Sequence, residues 1–229
     1  MQSQYTYFII LAVSLAGPLA LSFDKKVAFY KKWKYVFPAM ILPAAFYIVW
    51  DSYFTSKGVW GFNPAHITGI SFGGLPIEEV LFFFVVPYCC VFIYECIRCY
   101  FPRLNNGLAS HVFLRLLAGC LLVAGAIYYK KDYTAYTSIL FALFVFIFYL
   151  FKRYFASFRV SAFLVAYAVI LIPFLLVNGF LTAIPVVLYN DAENLGLRIY
   201  TIPVEDVFYG MLLVFMNIVL FEKIRSAGR

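Results

Sequence analysis

Long uninterrupted runs of apolar residues dominate the chain, and short stretches rich in charged and turn-forming residues separate them. A helix needs about 20 residues to cross the roughly 30 Å hydrocarbon layer of a membrane. The runs are continuously apolar, which favours helices over the alternating pattern of a membrane β-barrel. The pattern predicts seven transmembrane helices, near residues 5–23, 36–50, 75–97, 112–129, 133–151, 160–181 and 201–222. The second is the shortest, because Pro38 and Pro43 interrupt it.

Composition points the same way. Hydrophobic residues make up 65% of the 229 positions and charged residues only 13%, against about 25% charged in a soluble domain. A soluble fold could not bury so much apolar surface, so we expect an all-α integral membrane protein. The N-terminus has neither a basic stretch nor a small-residue cleavage site, so the first span is expected to remain in the protein.

Basic residues orient the chain, because they are concentrated in cytoplasmic loops. Four basic clusters follow predicted spans one, three, five and seven: Lys25, Lys26, Lys31, Lys32 and Lys34; Arg98 and Arg103; Lys152, Arg153 and Arg159; Lys223, Arg225 and Arg229. The opposite loops contain Lys57, Lys130, Lys131 and Arg198. The pattern predicts a multi-pass protein of the cell membrane with its N-terminus outside and its C-terminus in the cytoplasm. It also explains the net charge of +7 without a nucleic-acid partner.

Cysteine and histidine usage gives little sign of a metal site. The five cysteines are an odd number, which argues against a disulfide framework. Cys96 and Cys99 form a C-x-x-C pair, but no second pair exists and His66 and His111 are the only histidines. Packing is the favoured role for these thiols, and no metal site is expected.

An internal repeat with an offset of 127 residues runs through the chain. Residues 75–80 (LPIEEV) recur as residues 202–207 (IPVEDV). The same offset sets Asn63 opposite Asn190, Asp51 opposite Asn178 and Glu95 opposite Glu222, and a shift of one residue pairs Tyr5 with Tyr133. Charged and proline positions are rare here, so their agreement indicates a true repeat.

The repeat predicts how the chain is organised. We divide it into a first three-helix repeat at residues 1–111, a linking transmembrane helix at 112–129 and a second three-helix repeat at 130–229. The linking helix restores the starting side of the membrane. The two repeats are therefore expected to be parallel, with their acidic motifs at the same depth.

Each repeat has an acidic pair at the start of its last apolar run, Glu78 and Glu79 in the first and Glu205 and Asp206 in the second. Proline and carboxylates are common in the first turn of a helix, so the motif by itself predicts only a helix start. Four acids at the membrane edge with no cation in either motif are costly, however. Such groups usually mark a pathway or an active site.

The acids suit acid–base chemistry. Burial disfavours the charged form of a carboxyl group, and a neighbouring carboxyl disfavours it further. One member then remains protonated as an acid while another is ionised as a base. Adjacent helical residues point about 100° apart, so one member of each pair is expected to face the reacting centre and the other to support it. Glu95 and Glu222 lie roughly 25 Å further along, where we expect solvated or arginine-paired side chains.

These residues resemble the lycopene cyclase domain family of integral membrane proteins, found as paired bacterial subunits, as one fused chain, or joined to phytoene synthase in fungi. The resemblance covers nearly the whole chain in two copies and is most specific at residues 58–63 (GVWGFN), 66–70 (HITGI), 74–83 (GLPIEEVLFF) and 94–96 (YEC). The second repeat keeps the acidic motif but retains only Tyr189 and Asn190 of the Trp-Gly-Phe-Asn segment.

The resemblance implies a fused lycopene β-cyclase, an isomerase that converts lycopene to β-carotene through γ-carotene without redox change. Lycopene and other carotenoids, membrane lipid and other carotenoid-pathway enzymes are the implied partners. No glycine-rich nucleotide motif follows a strand, so no cofactor is expected. The implied catalytic residues are Glu78, Glu79, Glu205 and Asp206, and the candidates for substrate binding are Asn63, Asn190, Asp51 and His66.

Two other functions remain open. A carotenoid hydratase would also protonate a terminal double bond but let water capture the cation, and a small transporter would use its parallel repeats to move an ion or solute. A retinal-binding protein is disfavoured, because the last predicted span has no lysine between Thr201 and Phe221 to form a Schiff base. The choice between β and ε rings, the number of ends closed, the repeat that carries the chemistry and the oligomeric state are also left open.

Overall fold

The structure, a computed structural model, describes residues 3–104 and 107–228. The described residues form seven α-helices: α1 Thr6–Leu21, α2 Trp33–Lys57, α3 Ile77–Tyr100, α4 Leu108–Ile127, α5 Asp132–Leu150, α6 Val160–Ala183 and α7 Glu205–Ala227. Six of these are long and apolar enough to cross a membrane, and α1 is shorter, with 16 residues. The all-α, multi-pass prediction is confirmed. Arg229 of the last basic cluster lies outside the described residues.

Several helix ends differ from the predicted limits. Helix α2 extends well beyond 36–50, because Pro38 and Pro43 both lie inside it. Each proline removes one backbone donor, yet a membrane helix continues past such a position when neighbouring groups compensate. Helices α3 and α7 begin later than residues 75 and 201, because short strands precede them.

Three two-stranded antiparallel ribbons lie beside the starts of α3 and α7. They are β2 (Ser71–Phe72) with β3 (Leu75–Pro76), β5 (Arg198–Ile199) with β6 (Ile202–Pro203), and β1 (Trp60–Phe62) with β4 (Val187–Tyr189). The hydropathy pattern did not predict these strands, since they are only two or three residues long. The β1–β4 ribbon joins the two halves of the chain.

The two halves repeat each other in detail. Two pairs of backbone hydrogen bonds, all 2.9 Å long, are equivalent at the offset of 127 residues. In the first pair, Asn63 N donates to Val186 O and Asn190 N donates to Val59 O. In the second pair, Ile77 N donates to Ile70 O and Val204 N donates to Leu197 O. The first two of these bonds cross between the halves. The two repeats are therefore related by a pseudo-two-fold axis that passes through the β1–β4 ribbon.

Helix packing follows the same symmetry. Helix α1 packs on α3 as α5 packs on α7, while α2 packs on α7 as α6 packs on α3. The second helix of each repeat thus lies against the last helix of the other repeat. Helices α3 and α7 also contact each other, and α4 packs mainly on α5 outside this six-helix arrangement. The starts of α3 and α7 lie at one end of the molecule, as expected for parallel repeats.

A buried ion cluster lies at the other end of α3 and α7. Arg225 contacts Glu95 at 3.0 Å and Glu222 at 2.8 Å, and Arg98 contacts the same two carboxylates at 2.9 and 2.5 Å. Lys32 adds a contact of 2.6 Å to Glu95. The predicted pairing with arginine is confirmed. The prediction that Glu95 and Glu222 are solvated is wrong, because both carboxylates are buried and paired with these cations.

Candidate active site

A small cavity lies where the first turns of α3 and α7 meet. Glu79 from α3, Asp206 from α7 and Asp51 from α2 all line it. Their exposed fractions are only 8%, 2% and 2%. One carboxylate from each acidic motif therefore reaches the same space, so the two motifs contribute to a single site.

Tyrosine hydroxyl groups bind the two motif carboxylates. Tyr7 donates to Glu79 Oε2 at 2.5 Å. Asp206 receives two such bonds, from Tyr133 at 2.5 Å and from Tyr189 at 2.9 Å. Asp206 therefore accepts one more tyrosine hydrogen bond than Glu79.

Tyr189 lies in β4, outside the membrane-spanning helices. Burial raises the pKa of its phenol well above the ordinary value, and the nearby charge of Asp206 raises it further. The hydroxyl group therefore keeps its proton throughout the physiological pH range and remains a donor to Asp206.

The second member of each acidic pair binds the loop before its own helix. Glu78 Oε1 accepts a hydrogen bond from the backbone N–H of Thr68 at 2.7 Å. Glu205 Oε1 accepts the equivalent bond from Leu195 at 2.8 Å and another from the Thr134 hydroxyl at 2.6 Å. Neither side chain lines the cavity. The structure thus brings one acid of each pair into the site and uses the other to position the preceding loop.

Of the four polar candidates for substrate binding, Asp51 is the one that lines the cavity. Asn63 and Asn190 each accept a backbone N–H from two residues ahead, at 3.0 and 3.1 Å, and so close equivalent turns. His66 is buried with its Nδ1 atom 3.3 Å from the hydroxyl of Thr6. These three residues shape the loops around the site and do not contact the cavity.

The first repeat contributes more acid to the cavity than the second. Asp51 has an oxygen, Oδ2, without a hydrogen-bond partner in the described part of the chain. Its equivalent in the second repeat, Asn178, lines the same cavity with an uncharged amide. None of the ion pairs formed by residues 3–104 and 107–228 includes Asp51, Glu79 or Asp206. Three carboxyl groups therefore share a space whose described lining includes no Lys or Arg side chain.

Aromatic rings form much of the remaining wall. The Trp60 ring lies 5.0 Å from the ring of Tyr133 and 6.0 Å from the rings of Tyr189 and Tyr209, measured between centroids. The faces of such rings carry negative electrostatic potential and attract cations. The cavity thus combines carboxyl groups with a surface that suits a positively charged intermediate.

The family model described as lycopene cyclase matches the chain twice, over residues 4–97 and 130–224. Together these segments cover most of the 229 residues. The chain belongs to the lycopene cyclase family. No curated protein and no solved structure matches it. Each segment matched by the lycopene cyclase model contains an acidic-motif carboxylate that lines the cavity together with a tyrosine from its own segment, Glu79 with Tyr7 and Asp206 with Tyr133.

Several residues at this cavity were missed by the sequence analysis. The repeat paired Tyr133 with Tyr5, but Tyr5 is 51% exposed and Tyr7 makes the equivalent bond to the acid. An offset of 126 residues, one less than elsewhere, relates Tyr7 to Tyr133. Pairing aromatic positions at the offset of 127 would have found Tyr189, which is opposite Phe62. Trp60 is opposite Val187, so only its place in the segment at residues 58–63 points to it.

The cavity is small, with a volume of about 40 Å³. That is room for a few water molecules at most, and the end of a polyene is much larger. A polyene end could therefore enter only if wall side chains moved. Among the described residues no group of three or more His, Cys, Asp and Glu side chains could hold a metal ion.

Proposed function

We propose that the protein is a lycopene β-cyclase that converts lycopene to β-carotene through γ-carotene by acid–base ring closure. One observation carries the proposal beyond family membership. Carboxyl groups from both repeats, Glu79 and Asp206, line one buried cavity with no ion-paired cation and an aromatic wall. This combination supports proton transfer to and from a hydrocarbon.

The reaction begins with proton donation by Glu79 to the terminal double bond. The electron pair of that bond forms the new C–H bond and leaves a tertiary carbocation on the adjacent carbon. A second double bond of the same chain attacks the cation, which closes a six-membered ring and moves the positive charge onto the ring. Asp206 then removes a ring proton, and the released C–H electrons form the ring double bond. One proton is added and one is lost, with no oxidation or reduction.

Hydrogen bonding supports this division of roles. Asp206 accepts two phenolic hydrogen bonds and Glu79 accepts one, so the negative charge is better stabilised on Asp206. Asp51 adds a third carboxyl group to the same cavity. Since the carboxyl groups share one space, a proton can return from Asp206 to Glu79 before the second end of the substrate is closed.

The aromatic wall has a role in the cationic steps. A cation over the face of Trp or Tyr gains about 0.5–2 kcal/mol, the larger value where water is excluded. Trp60, Tyr133 and Tyr209 surround the space between the two acids. We expect their faces to stabilise the carbocation until Asp206 takes the proton.

The proposal is tested by expressing the protein in a lycopene-accumulating bacterium and analysing the pigments by chromatography and mass spectrometry. We expect β-carotene of the same mass as lycopene, with γ-carotene as a transient product. In D₂O, each closed ring should carry one deuterium from the acid.

Other functions give other products. Hydration adds the mass of water to the carotenoid, and a transporter leaves lycopene unchanged. Recovery of lycopene alone, beside well-expressed and membrane-inserted protein, would overturn the proposal. An empty-vector culture controls for background pigment.

A further inference from the structure

A second cavity adjoins the one lined by Asp51, Glu79 and Asp206, which we call the acid cavity. It has a volume of about 170 Å³ and lies between α1, α3 and α6, with Ser14, Cys89 and Ile170 among its walls. Phe174 and Asn178 line both cavities. We call this space the α1/α3/α6 groove, and these two residues are the wall that separates it from the acids.

The groove presents a hydrocarbon surface. Its polar side chains are satisfied within their own helices, Ser14 by the carbonyl of Ile10 at 2.7 Å and Asn178 by the carbonyl of Phe174 at 2.9 Å. The other lining side chains are Pro, Val, Ile, Phe and the free thiols of Cys89 and Cys90. Such walls fit an uncharged hydrocarbon chain and offer nothing to a hydrated ion.

The groove runs in a direction that suits a long molecule. From Ile170 to Asn178 it follows α6 for about 12 Å at 1.5 Å per residue. Asn178 marks the acid cavity, whose volume of about 40 Å³ holds no more than a fragment of a carotenoid. A polyene whose end reacts at the acids must therefore leave that cavity through a wall, and the groove begins at one.

The pseudo-symmetric position lacks this connection. A space of about 130 Å³ lies between α2, α5 and α7, but it shares no lining residue with the acid cavity. Tyr47, the equivalent of Phe174 at the offset of 127, donates a hydrogen bond from its hydroxyl to the carbonyl of Tyr209 at 2.9 Å. Phe174 has no polar atom to hold it in place, and its ring rests against Gly210, where an added Cβ would lie 2.6 Å from Phe174 Cζ.

We propose that the α1/α3/α6 groove binds the polyene chain of the substrate, and that Phe174 is the movable wall through which the chain end reaches Glu79 and Asp206. The inference rests on the proposed function for the identity of the polyene. Because there is one groove, the two ends of the substrate must react one after the other. The substrate must leave the groove and bind again in the opposite direction between the two ring closures.

A matched pair of variants tests the groove. Cys89 lies in its wall, and Met216 is the equivalent residue in the space between α2, α5 and α7. Both side chains are partly buried. Filling the groove by Cys89→Phe should lower the initial rate of ring closure about ten-fold or more, whereas Met216→Phe should leave it within about two-fold. If Cys89→Phe does not fold, Ile93→Phe fills the same groove, and Leu220→Phe at the position 127 residues later is its control outside the groove.

Binding is measured separately, in the Glu79→Gln background, as lycopene that co-purifies with protein reconstituted in lipid nanodiscs. Adding Cys89→Phe should remove most of the pigment, and adding Met216→Phe should not. Equal losses of pigment in the two variants, or no loss in either, would overturn the groove assignment. A groove that holds only lipid would give no difference between them. If the unmodified protein binds lycopene through the groove but forms no ring, the proposed function fails and the groove stands.

Discussion

The hydroxyl groups of Tyr133 and Tyr189 both point to Asp206, and this arrangement predicts the effect of removing each one. A hydrogen bond to a charged group is worth about 1.5–3 kcal/mol, which corresponds to roughly ten-fold or more in rate. Tyr133→Phe and Tyr189→Phe each remove the hydroxyl group but keep the aromatic side chain. Each should therefore slow β-carotene formation by about ten-fold. Initial rates in isolated membranes measure this.

Tyr88→Phe is the control for these variants. Tyr88 is buried outside the acid cavity, and its hydroxyl pairs with that of Ser22 at 2.6 Å and accepts a hydrogen bond from Trp33 Nε1 at 3.1 Å. Loss of this hydroxyl removes two hydrogen bonds that do not reach Glu79 or Asp206, so the rate should change by less than about two-fold. Equal losses in all three variants would show that the tyrosines contribute only to packing.

The sequence predicted that one acid of each pair would face the site but not which one. Adjacent positions on a helix differ by about 100°, so the geometry excludes two equal roles. The choice depends on the rotation of α3 and α7 about their axes, which packing in the bundle decides. Glu79 and Asp206 face the cavity while Glu78 and Glu205 bind the backbone N–H groups of Thr68 and Leu195, ten residues earlier in the chain. Hydropathy does not reveal these loop-to-helix contacts.

At the scale of elements, α3 and α7 end in the buried cluster that contains Glu95, Glu222 and Arg225. Removing one partner of a buried ion pair leaves uncompensated charge and costs about 3–5 kcal/mol. Arg225→Ala should therefore lower the thermal unfolding midpoint in detergent strongly. The activity of the folded fraction should be retained, since the cluster lies roughly 25 Å from the acids.

Lys25→Ala is the matched control for that measurement. Lys25 is an exposed basic residue on a loop near the same end of the protein, and loss of a surface charge changes stability by less than about 1 kcal/mol. An Arg225→Ala variant as stable as Lys25→Ala would contradict a structural role for the cluster.

Hydropathy located all seven helices, but their ends needed information that hydropathy lacks. Pro76 and Pro203 each lie in a two-residue strand immediately before an acidic motif, and such strands have no periodicity to detect. The prolines of α2 were treated as breaks, although the helix continues through both. Propensity is a local property, and tertiary packing overrides it here.

For the whole molecule, the distribution of basic residues predicts that the acid cavity lies toward the outer side of the membrane. Single cysteines at Lys130 and Arg153, both exposed, test this in a variant whose native cysteines are replaced by alanine. A membrane-impermeant thiol reagent added to intact cells should label Lys130→Cys and leave Arg153→Cys unlabelled until the cells are opened. The reverse pattern would contradict the predicted orientation.

The internal repeat predicted more of the three-dimensional arrangement than any single motif did. An offset of 127 placed Asp51 opposite Asn178 and Glu79 opposite Asp206, and all four residues line one cavity. The sequence could not show that the two motifs form one site, because that depends on α2 and α6 packing on the last helix of the other repeat. The division at residues 1–111, 112–129 and 130–229 stays a prediction.

The central claim is that one carboxyl group from each repeat performs the chemistry in a shared cavity. The most direct test compares the ring-closing rates of Glu79→Gln and Glu78→Gln, two neighbouring and equally conservative changes. Glu79→Gln should lose about 10²–10⁴-fold of the rate. Glu78→Gln should stay within several-fold of the unmodified protein, because the glutamine oxygen still accepts the bond from Thr68. A Glu79→Gln variant that forms β-carotene as fast as Glu78→Gln, or a loss confined to Glu78→Gln, would contradict the account.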